Sequence, residues 1–377
     1  MSPQRNIVLS GAPSASVNRL LKESGYVVSP TGTGVTVFVD DGSDHISVTG
    51  AAIDALRSMD VIVISHRSVL EHRILSSKLG VQHVLEPDEL HLLESTIESV
   101  RSRAISIRFW GVRGSIPCPD PENMMFGGNT SCVQVTIRDS EDYLILDSGS
   151  GIRTLGNALV QHGREVHGHI FITHAHWDHI QGFPFFRPIY EPASSLAIHM
   201  PRQKLGGCKT VLTTQFTPTY FPVTVDMLNA RIQYVTQESE PVQYDGYTME
   251  FMMANHPVET AIYKFTHEGK TMVYAPDNEL TPEFTPGFIE FIRGVDVLIH
   301  DANYDRHIYR KRVGWGHSAW EDVVDAARIA GVKQLFLTHH DPTAHDEILM
   351  HREKQVQRHA DDFETITLAR EGMVVRI

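Results

Sequence analysis

An apolar strand that runs straight into a dense group of metal-binding side chains constrains this 377-residue chain more than any other feature. In HIFITHAHWDHIQGF, residues 169–183, the apolar residues predict a strand over 169–173. Four potential ligands follow within six residues, namely His174, His176, Asp178 and His179. Imidazole and carboxylate groups are common ligands of zinc and related divalent ions. The segment therefore predicts a metal site at the carboxyl end of a strand, where the first two histidines face one ion and the Asp–His pair faces a second.

The composition narrows the class of protein further. Seventeen of the 22 histidines follow residue 161, which places the chemistry in the second part of the chain. Three widely spaced cysteines exclude a disulfide framework and favour a reducing, cytoplasmic compartment. No apolar run approaches the roughly 18 residues of a membrane span, so we expect no membrane partner. The formal net charge of −13 favours a small-molecule substrate and disfavours nucleic acid as a partner.

The first 103 residues predict a domain of their own. Short apolar runs at 6–11, 35–41, 60–66 and 81–85 predict strands, and amphipathic stretches at 16–25, 51–59, 69–80 and 87–103 predict helices. Strands separated by helices indicate βαβ units and a parallel sheet, so the predicted fold class is α/β.

This first domain resembles a response-regulator receiver domain, most clearly in GVQHVLEPDELHLLESTIESV, residues 80–100. It departs from that family where Ser10 and Gly11 replace an acidic pair and where Glu86 replaces a lysine. Asp40 or Asp41 is either a phosphoacceptor mimic or simply a carboxylate at a strand end. We expect a degenerate receiver-like domain that does not use phosphorylation and serves docking, dimerisation or sensing, with a possible protein partner.

Residues 104–377 resemble the metallo-β-lactamase superfamily, whose signature is the H-x-H-x-D-H pattern described above. The resemblance implies an αββα sandwich and further ligands downstream. His256 in MANHPVE matches the third histidine of the first metal site, and Asp277 in MVYAPDNEL matches the bridging aspartate. His339 in LFLTHHDP matches the last histidine of the second site, with His340 as the neighbouring alternative. Asp147 in LILDSGSG either braces the site or caps a strand end.

The ligand set implied by this resemblance has two parts. One group is His174, His176 and His256, and the other is Asp178, His179 and His339, with Asp277 shared between them. The resemblance implies two divalent metal ions per chain, with zinc as the first choice and manganese or iron as alternatives. Two such ions supply an activated water and neutralise charge on a phosphoryl group.

Two motifs point to phosphodiester cleavage within the superfamily. LIHDANYD, residues 298–305, resembles the His-Glu-Ala-Thr motif of tRNA 3′-processing endonucleases, and GWGHSAW, residues 314–320, resembles their His-Ser-Thr motif. The implied catalytic residues are Asp178, His317 as general acid, and Asp301 as the carboxylate that orients it. In the alternative interpretation, Ser318 is a plain helix N-cap and His317 is a surface residue.

Four residues are candidates for substrate contact. Arg113 and Asn129 lie in the Gly- and Pro-rich segment 109–132, where Arg113 would meet a phosphate and glycines allow close approach of the backbone. A pure turn role for these glycines is equally plausible. Tyr220 and Phe221, in TTQFTPTYFPV, would form a lid on which a base stacks, unless this segment is an ordinary apolar loop.

These features together predict a dinuclear phosphodiesterase that hydrolyses a small phosphodiester, a 3′,5′-cyclic nucleotide in the first instance, and the family resemblance implies a homodimer. The short spacing between His256 and Asp277 leaves no room there for a long basic RNA-gripping arm. One alternative is an RNase Z-like tRNA 3′-end endonuclease or a phosphoribosyl cyclic phosphate phosphodiesterase. A second alternative, of a different class, is a non-catalytic signalling module that senses a ligand.

Overall fold

The computed structural model describes residues 105–137, 140, 142–161, 165–237, 241–244 and 246–377. Of the first 104 residues it describes five strands and residues 17, 21, 92 and 93. The chain divides into two compact units, Met1–Arg108 with Gly372–Arg376 and Phe109–Glu371 with Ile377. The predicted domains, 1–103 and 104–377, stay predictions.

The first unit contains a five-stranded parallel sheet. Its strands are β1 Asn6–Gly11, β2 Val27–Ser29, β3 Val35–Asp40, β4 Val61–Ser65 and β5 His83–Leu85. Their order, β2-β1-β3-β4-β5, is a doubly wound order. Four of these strands lie where the apolar runs predict them, and β2 was not predicted. The predicted helices lie outside the described residues except at isolated positions, and the receiver resemblance is not confirmed.

The second part of the chain builds two seven-stranded sheets. The first has the order β11-β10-β9-β8-β7-β6-β19, and its strands β8 to β11 run parallel. In chain order these strands are β6 Ile105–Gly111, β7 Cys132–Ile137, β8 Tyr143–Leu146, β9 His167–Phe171, β10 Ser195–Pro201, β11 Arg231–Gln237 and β19 Val374–Arg376.

The second sheet has the order β12-β13-β14-β15-β16-β17-β18. Its first four strands are antiparallel neighbours, whereas β15 to β18 run parallel. The strands are β12 Val242–Gln243, β13 Thr248–Met253, β14 Ala261–His267, β15 Lys270–Ala275, β16 Val297–Asp301, β17 Gln334–Thr338 and β18 Thr365–Leu368. Every residue of β16 is buried, as expected for a parallel strand covered on both faces.

Helices cover the outer faces of the two sheets. The described helices are Gly151–Gln161, Trp177–Ile180, Cys208–Thr214, Thr285–Phe291, Arg306–Tyr309, Trp320–Ala330 and Asp346–Val356. Short 3-10 helices span Pro121–Asn123, Phe183–Phe185, Arg187–Tyr190, Val225–Met227 and Gln357–Asp362. Among the described residues, no helix is both long enough and apolar enough to cross a bilayer.

Three apolar layers hold this arrangement together. Ile152 and Leu155 of one helix pack with Ile170 and other residues of the first sheet. Leu335 of β17 belongs to a separate core with the helix Trp320–Ala330. Between the sheets, the Phe171 ring lies 5.5 Å from that of Tyr263, measured between ring centroids. The predicted αββα sandwich is therefore confirmed for the second part of the chain.

Candidate metal centre

The predicted ligands lie at the carboxyl ends of strands from both sheets. His174 and His176 follow β9 of the first sheet. His256 follows β13, Asp277 follows β15 and His339 follows β17 in the second sheet. The carboxyl ends of these strands lie at the same edge of the sandwich. The residues that follow them therefore come close together, although they are far apart in the sequence.

The donor atoms of the predicted ligands form two groups, each with all its atoms within 4.8 Å of one another, and His317 forms a third such group with Asp277 and His339. The first contains His174, His176, His256 and Asp277, and the second contains Asp178, His179 and His339. Asp277 lies between them: its Oδ2 is 3.6 Å from Nε2 of His174, and its Oδ1 is 3.2 Å from Nε2 of His179 and 3.1 Å from Nε2 of His339. The structure thus brings together all seven predicted metal ligands.

The chemistry of this donor set fits divalent cations. Nε2 of His174, Nε2 of His179 and Oδ1 of Asp277 are buried, and none of them has a hydrogen-bond partner among the described residues. Buried polar atoms without partners cost free energy, and a bound cation removes that cost. Burial alone would raise the pKa of Asp277, but the neighbouring His339 and His179 lower it well below its usual range. Burial lowers the pKa of His174. Both shifts favour the deprotonated forms of these side chains, which are the forms that bind metal ions.

Asp147 contacts the second group through His179 and holds that ligand in place. Its Oδ2 is 2.8 Å from Nδ1 of His179, and it accepts hydrogen bonds from the Thr173 backbone (2.7 Å) and the Tyr274 hydroxyl (2.9 Å). The backbone of Asp147 is in the left-handed region, with φ of 60°. Few residues other than glycine, asparagine and aspartate adopt this conformation. A completely buried carboxylate in this conformation fixes which nitrogen of His179 faces the ligand cluster.

Two further histidines of the cluster are held through their Nδ1 atoms, and Asp178 is held by a backbone nitrogen. Nδ1 of His256 is 3.0 Å from the Gly316 carbonyl oxygen, and Nδ1 of His339 is 3.2 Å from the Asn303 amide nitrogen. Asp178 accepts a 2.7 Å hydrogen bond from the Ser115 backbone nitrogen. The contacts at Nδ1 of His256 and His339 turn their Nε2 atoms toward the cluster, whereas the Ser115 nitrogen bonds Oδ2 of Asp178, the oxygen that also lies 3.1 Å from Nε2 of His339.

His317 and Asp301 lie against the metal centre as a pair. Nδ1 of His317 is 3.1 Å from Oδ2 of Asp301, and the His317 ring stacks on that of His339 at 5.0 Å between centroids. Burial lowers the pKa of His317, but the Asp301 carboxylate outweighs it and raises the pKa to about 9. The same carboxylate accepts hydrogen bonds from backbone nitrogens of Asn278, Asn303 and Ser318.

Ser318 does not have the capping role expected of it. The N-cap of the helix Trp320–Ala330 is Ala319, which makes no side-chain cap. The Ser318 hydroxyl instead donates to the Asn278 carbonyl at 2.6 Å and accepts from the Leu280 nitrogen at 3.0 Å. This serine therefore ties the motif around His317 to the segment that carries Asp277.

Arg113 is placed differently from the substrate contact predicted for it. It is completely buried, and its guanidinium donates to the carbonyls of Gly127 and Ala344 and to the side chain of Asn123. A fourth, longer bond reaches the Asp341 carbonyl. Its donors face loop backbone rather than solvent, so the structure speaks against phosphate binding by this arginine.

The other three candidate contacts differ in their exposure. Both ends of the Asn129 side chain are engaged, with Nδ2 donating to Glu371 and Oδ1 accepting from Ser150. Phe221 packs against Phe185 and Phe216, with ring centroids at 5.2 and 5.8 Å. Tyr220 is 81% exposed and is the one of the three that is open to a substrate.

Sequence reasoning did not single out Asn303, Glu279 or Tyr274, although each supports the centre. Asn303 lies inside the LIHDANYD segment and Glu279 inside MVYAPDNEL, so their proximity to recognised motifs was the available signal. Glu279 accepts hydrogen bonds from the backbone of Gly314 and Gly316. In the sequence Tyr274 looks like any aromatic residue of the core. Its hydroxyl donates a hydrogen bond to Asp147, and only the folded structure brings the two residues together.

Known proteins are similar to this chain in sequence or in fold. Ribonuclease Z of Haloarcula marismortui is 26% identical over 280 residues, which cover 62% of this chain and 85% of that protein. Ribonuclease Z of Archaeoglobus fulgidus is 25% identical over 291 residues, with 62% and 86% covered. The metallo-β-lactamase fold protein YhfI of Bacillus subtilis is 18% identical with a TM-score of 0.55, covering 73% of this chain and 100% of that one.

These relatives contradict the predicted partners, a small-molecule substrate in preference to nucleic acid, because they are ribonucleases. The prediction failed because net charge is a property of the whole chain, whereas recognition of a polyanion depends on local charge. Residues 144–340, more than half of the chain, match the β-lactamase superfamily domain. The chain belongs to the metallo-β-lactamase superfamily, and it is a metal-dependent enzyme that hydrolyses phosphodiesters.

Proposed function

We propose that this chain is a ribonuclease of the RNase Z type, which cleaves one phosphodiester near the 3′ end of a precursor RNA. The observation that carries the proposal is the His317–Asp301 pair, held within ring contact of the ligands His339 and His256. The similarity to ribonuclease Z over most of that protein's length supports RNA as the substrate.

The chain offers local positive charge despite its acidic balance. Arg202, Lys204 and Lys209 are exposed in the loop that follows β10 and at the start of the next helix. Strand β10 is parallel to β9, so this loop leaves the same edge of the sheet as the segment that carries His174 and His176. Basic side chains at this edge support the binding of an RNA backbone.

We infer that two zinc ions occupy the two ligand groups. When bound, divalent cations at such a site lower the pKa of water and offset negative charge on a phosphoryl group. Asp301 keeps His317 protonated and oriented, and His317 donates its proton from Nε2 to the departing oxygen. Asp178 and Asp277 supply the negative charge that holds cations in place.

A direct test measures cleavage by the metal-loaded protein. The substrates are a precursor tRNA transcript with a 3′ trailer, a 3′,5′-cyclic nucleotide and bis(p-nitrophenyl) phosphate, with the metal content measured on the same sample. We expect site-specific cleavage of the transcript that is lost with a chelator and restored by zinc. Hydrolysis of the cyclic nucleotide without cleavage of the transcript would contradict the proposal.

A further inference from the structure

The loop that leads to His317 is fixed against the metal centre. The buried Glu279 carboxylate accepts hydrogen bonds from the backbone nitrogens of Gly314, at 2.8 Å, and Gly316, at 2.9 Å. It also accepts one from the Tyr309 hydroxyl at 2.9 Å. Gly316 has a φ of 83°, and a Cβ atom there would lie 2.2 Å from Nδ1 of His256. The backbone on both sides of Trp315 is therefore held in place beside a metal ligand.

Trp315 presents its side chain to solvent from this fixed loop. It is 59% exposed, which is unusual because tryptophan is a large side chain that is highly buried on average. The Arg312 guanidinium lies over its ring at 5.1 Å and over the Tyr304 ring at 4.9 Å. The Tyr304 ring in turn contacts that of His317 at 5.8 Å. A continuous series of contacts thus runs from the proposed acid to an exposed indole.

The charges around this indole suit an RNA strand. Arg312 interacts with the Tyr304 side chain, its Nη1 lies 3.6 Å from Asp341, and its side chain is still 38% exposed. An exposed aromatic ring next to an exposed guanidinium offers a stacking surface for a base and a cation for the neighbouring phosphate. Single-stranded nucleic acid is bound in this way, because every base has a π face.

We propose that Trp315 is a base-stacking platform that positions the RNA strand at the scissile phosphate, with Arg312 holding the indole and facing the backbone. This inference rests on the proposed ribonuclease function. The occupant is an unpaired base within two nucleotides of the cleavage site. The platform differs from the predicted lid at Tyr220 and Phe221, which belongs to a separate segment of the chain.

The test compares Trp315→Ala and Trp315→Phe on the precursor tRNA transcript. Bis(p-nitrophenyl) phosphate, a small diester with no RNA strand to position, reports the state of the metal centre for each variant, and bound metal is measured on the same samples. We expect the ratio of kcat/KM on RNA to that on bis(p-nitrophenyl) phosphate to fall roughly tenfold for Trp315→Ala, mainly through KM, and to recover in Trp315→Phe. Ile329→Ala, at a residue 62% exposed on the helix Trp320–Ala330, is the control and should leave the ratio unchanged.

A second experiment removes a base from the RNA instead of the indole ring of Trp315 from the protein. Transcripts with an abasic nucleotide at each of the two positions on either side of the scissile phosphate are cleaved by the wild type and by Trp315→Ala. At the stacked position the two losses should not add, because each removes the same contact. Additive losses at all four positions, or a loss confined to Tyr220→Ala, would overturn the platform. If wild type cleaves no transcript, the ribonuclease function itself fails, whereas normal cleavage by Trp315→Ala removes only this inference.

Discussion

Asp301 shows how one buried side chain can organise a reaction centre. Each of its oxygens has two polar neighbours. Oδ1 accepts hydrogen bonds from the backbone nitrogens of Asn303 and Ser318, and Oδ2 accepts one from the backbone nitrogen of Asn278 and lies 3.1 Å from Nδ1 of His317. With its position set by three backbone nitrogens, the carboxylate has no freedom to rotate away. The imidazole of His317 is therefore held in one orientation against the metal ligands before any substrate arrives.

Replacing His317 by Ala should lower turnover of the precursor tRNA about 10²- to 10⁴-fold, the usual contribution of a positioned acid. Asp301→Asn should also lower turnover, since its amide nitrogen would face backbone N–H groups and the imidazole would lose both its fixed orientation and the charge that favours its protonated form. Both effects are measured as kcat at saturating RNA, with bound metal determined in parallel. Full turnover without His317 would contradict its role as acid. Loss of metal in that variant would identify it as a ligand instead, since its donor atom lies within 4.8 Å of those of Asp277 and His339.

At the scale of elements, the loops after the strands decide the geometry of the site. Arg113, fully buried in the loop after β6, bonds to Asn123 and Gly127 of the same loop and to Ala344 of the loop after β17, and so joins two loops. The prediction of a phosphate contact followed from its place in a Gly-rich segment. Such a segment shows only that the backbone can approach something closely. Here the close neighbour is the protein itself.

Arg113→Met should therefore lower the stability of the fold and leave substrate binding unchanged. We expect the free energy of unfolding to fall by about 3 kcal/mol, because buried carbonyls lose their donor. Activity per folded molecule should stay within a small factor of wild type. Urea unfolding measures the first quantity and kcat/KM the second. The matched control is Arg293→Ala, whose side chain is 58% exposed and pairs with Glu290. A variant of Arg113 with wild-type stability and a raised KM for RNA would restore the original prediction.

At the scale of the whole molecule, the space between the sheets contains polar side chains that bear on stability. His199 of β10 is buried, stacks on Phe171 at 4.4 Å, and its Nε2 lies 2.9 Å from Nδ1 of His169. Burial and the neighbouring His169 lower the pKa of His199 to about 3. The Tyr244 hydroxyl, at 3.4 Å from Nδ1, is the other polar group facing it.

This arrangement predicts that acid destabilises the sandwich. The unfolded chain binds a proton at His199 near its ordinary pKa of about 6.5, whereas the folded chain binds it only near 3. The contribution of neutral His199 to the free energy of unfolding is thus complete above about pH 6.5 and is lost as the pH falls toward 3. Between pH 7 and pH 5 the wild type should lose about 2 kcal/mol through this group. His199→Leu should flatten that dependence in urea unfolding of the metal-free protein. Equal slopes for both proteins would contradict the prediction.

The receiver-like character of residues 1–103, the homodimer, the identity of the ions and the cytoplasmic location stay predictions. Each has a simple readout: binding of a protein partner by the first unit, sedimentation of the full chain, metal analysis of the purified protein, and fractionation of cells. The parallel order β2-β1-β3-β4-β5 is compatible with the first of these, since doubly wound sheets have this order.

The sequence alone predicted a strand that leads into the segment of His174, His176, Asp178 and His179, and the side-chain types of the candidate ligands. Strand positions follow from local apolar runs, and the ligand types follow from side-chain chemistry, so neither needs long-range information. Only the tertiary structure decided that His174 of one sheet and Asp277 of the other meet at 3.6 Å. It also decided that Arg113 is buried while Trp315 is exposed. Burial depends on which distant segments pack against a residue, and no local pattern in the chain records that.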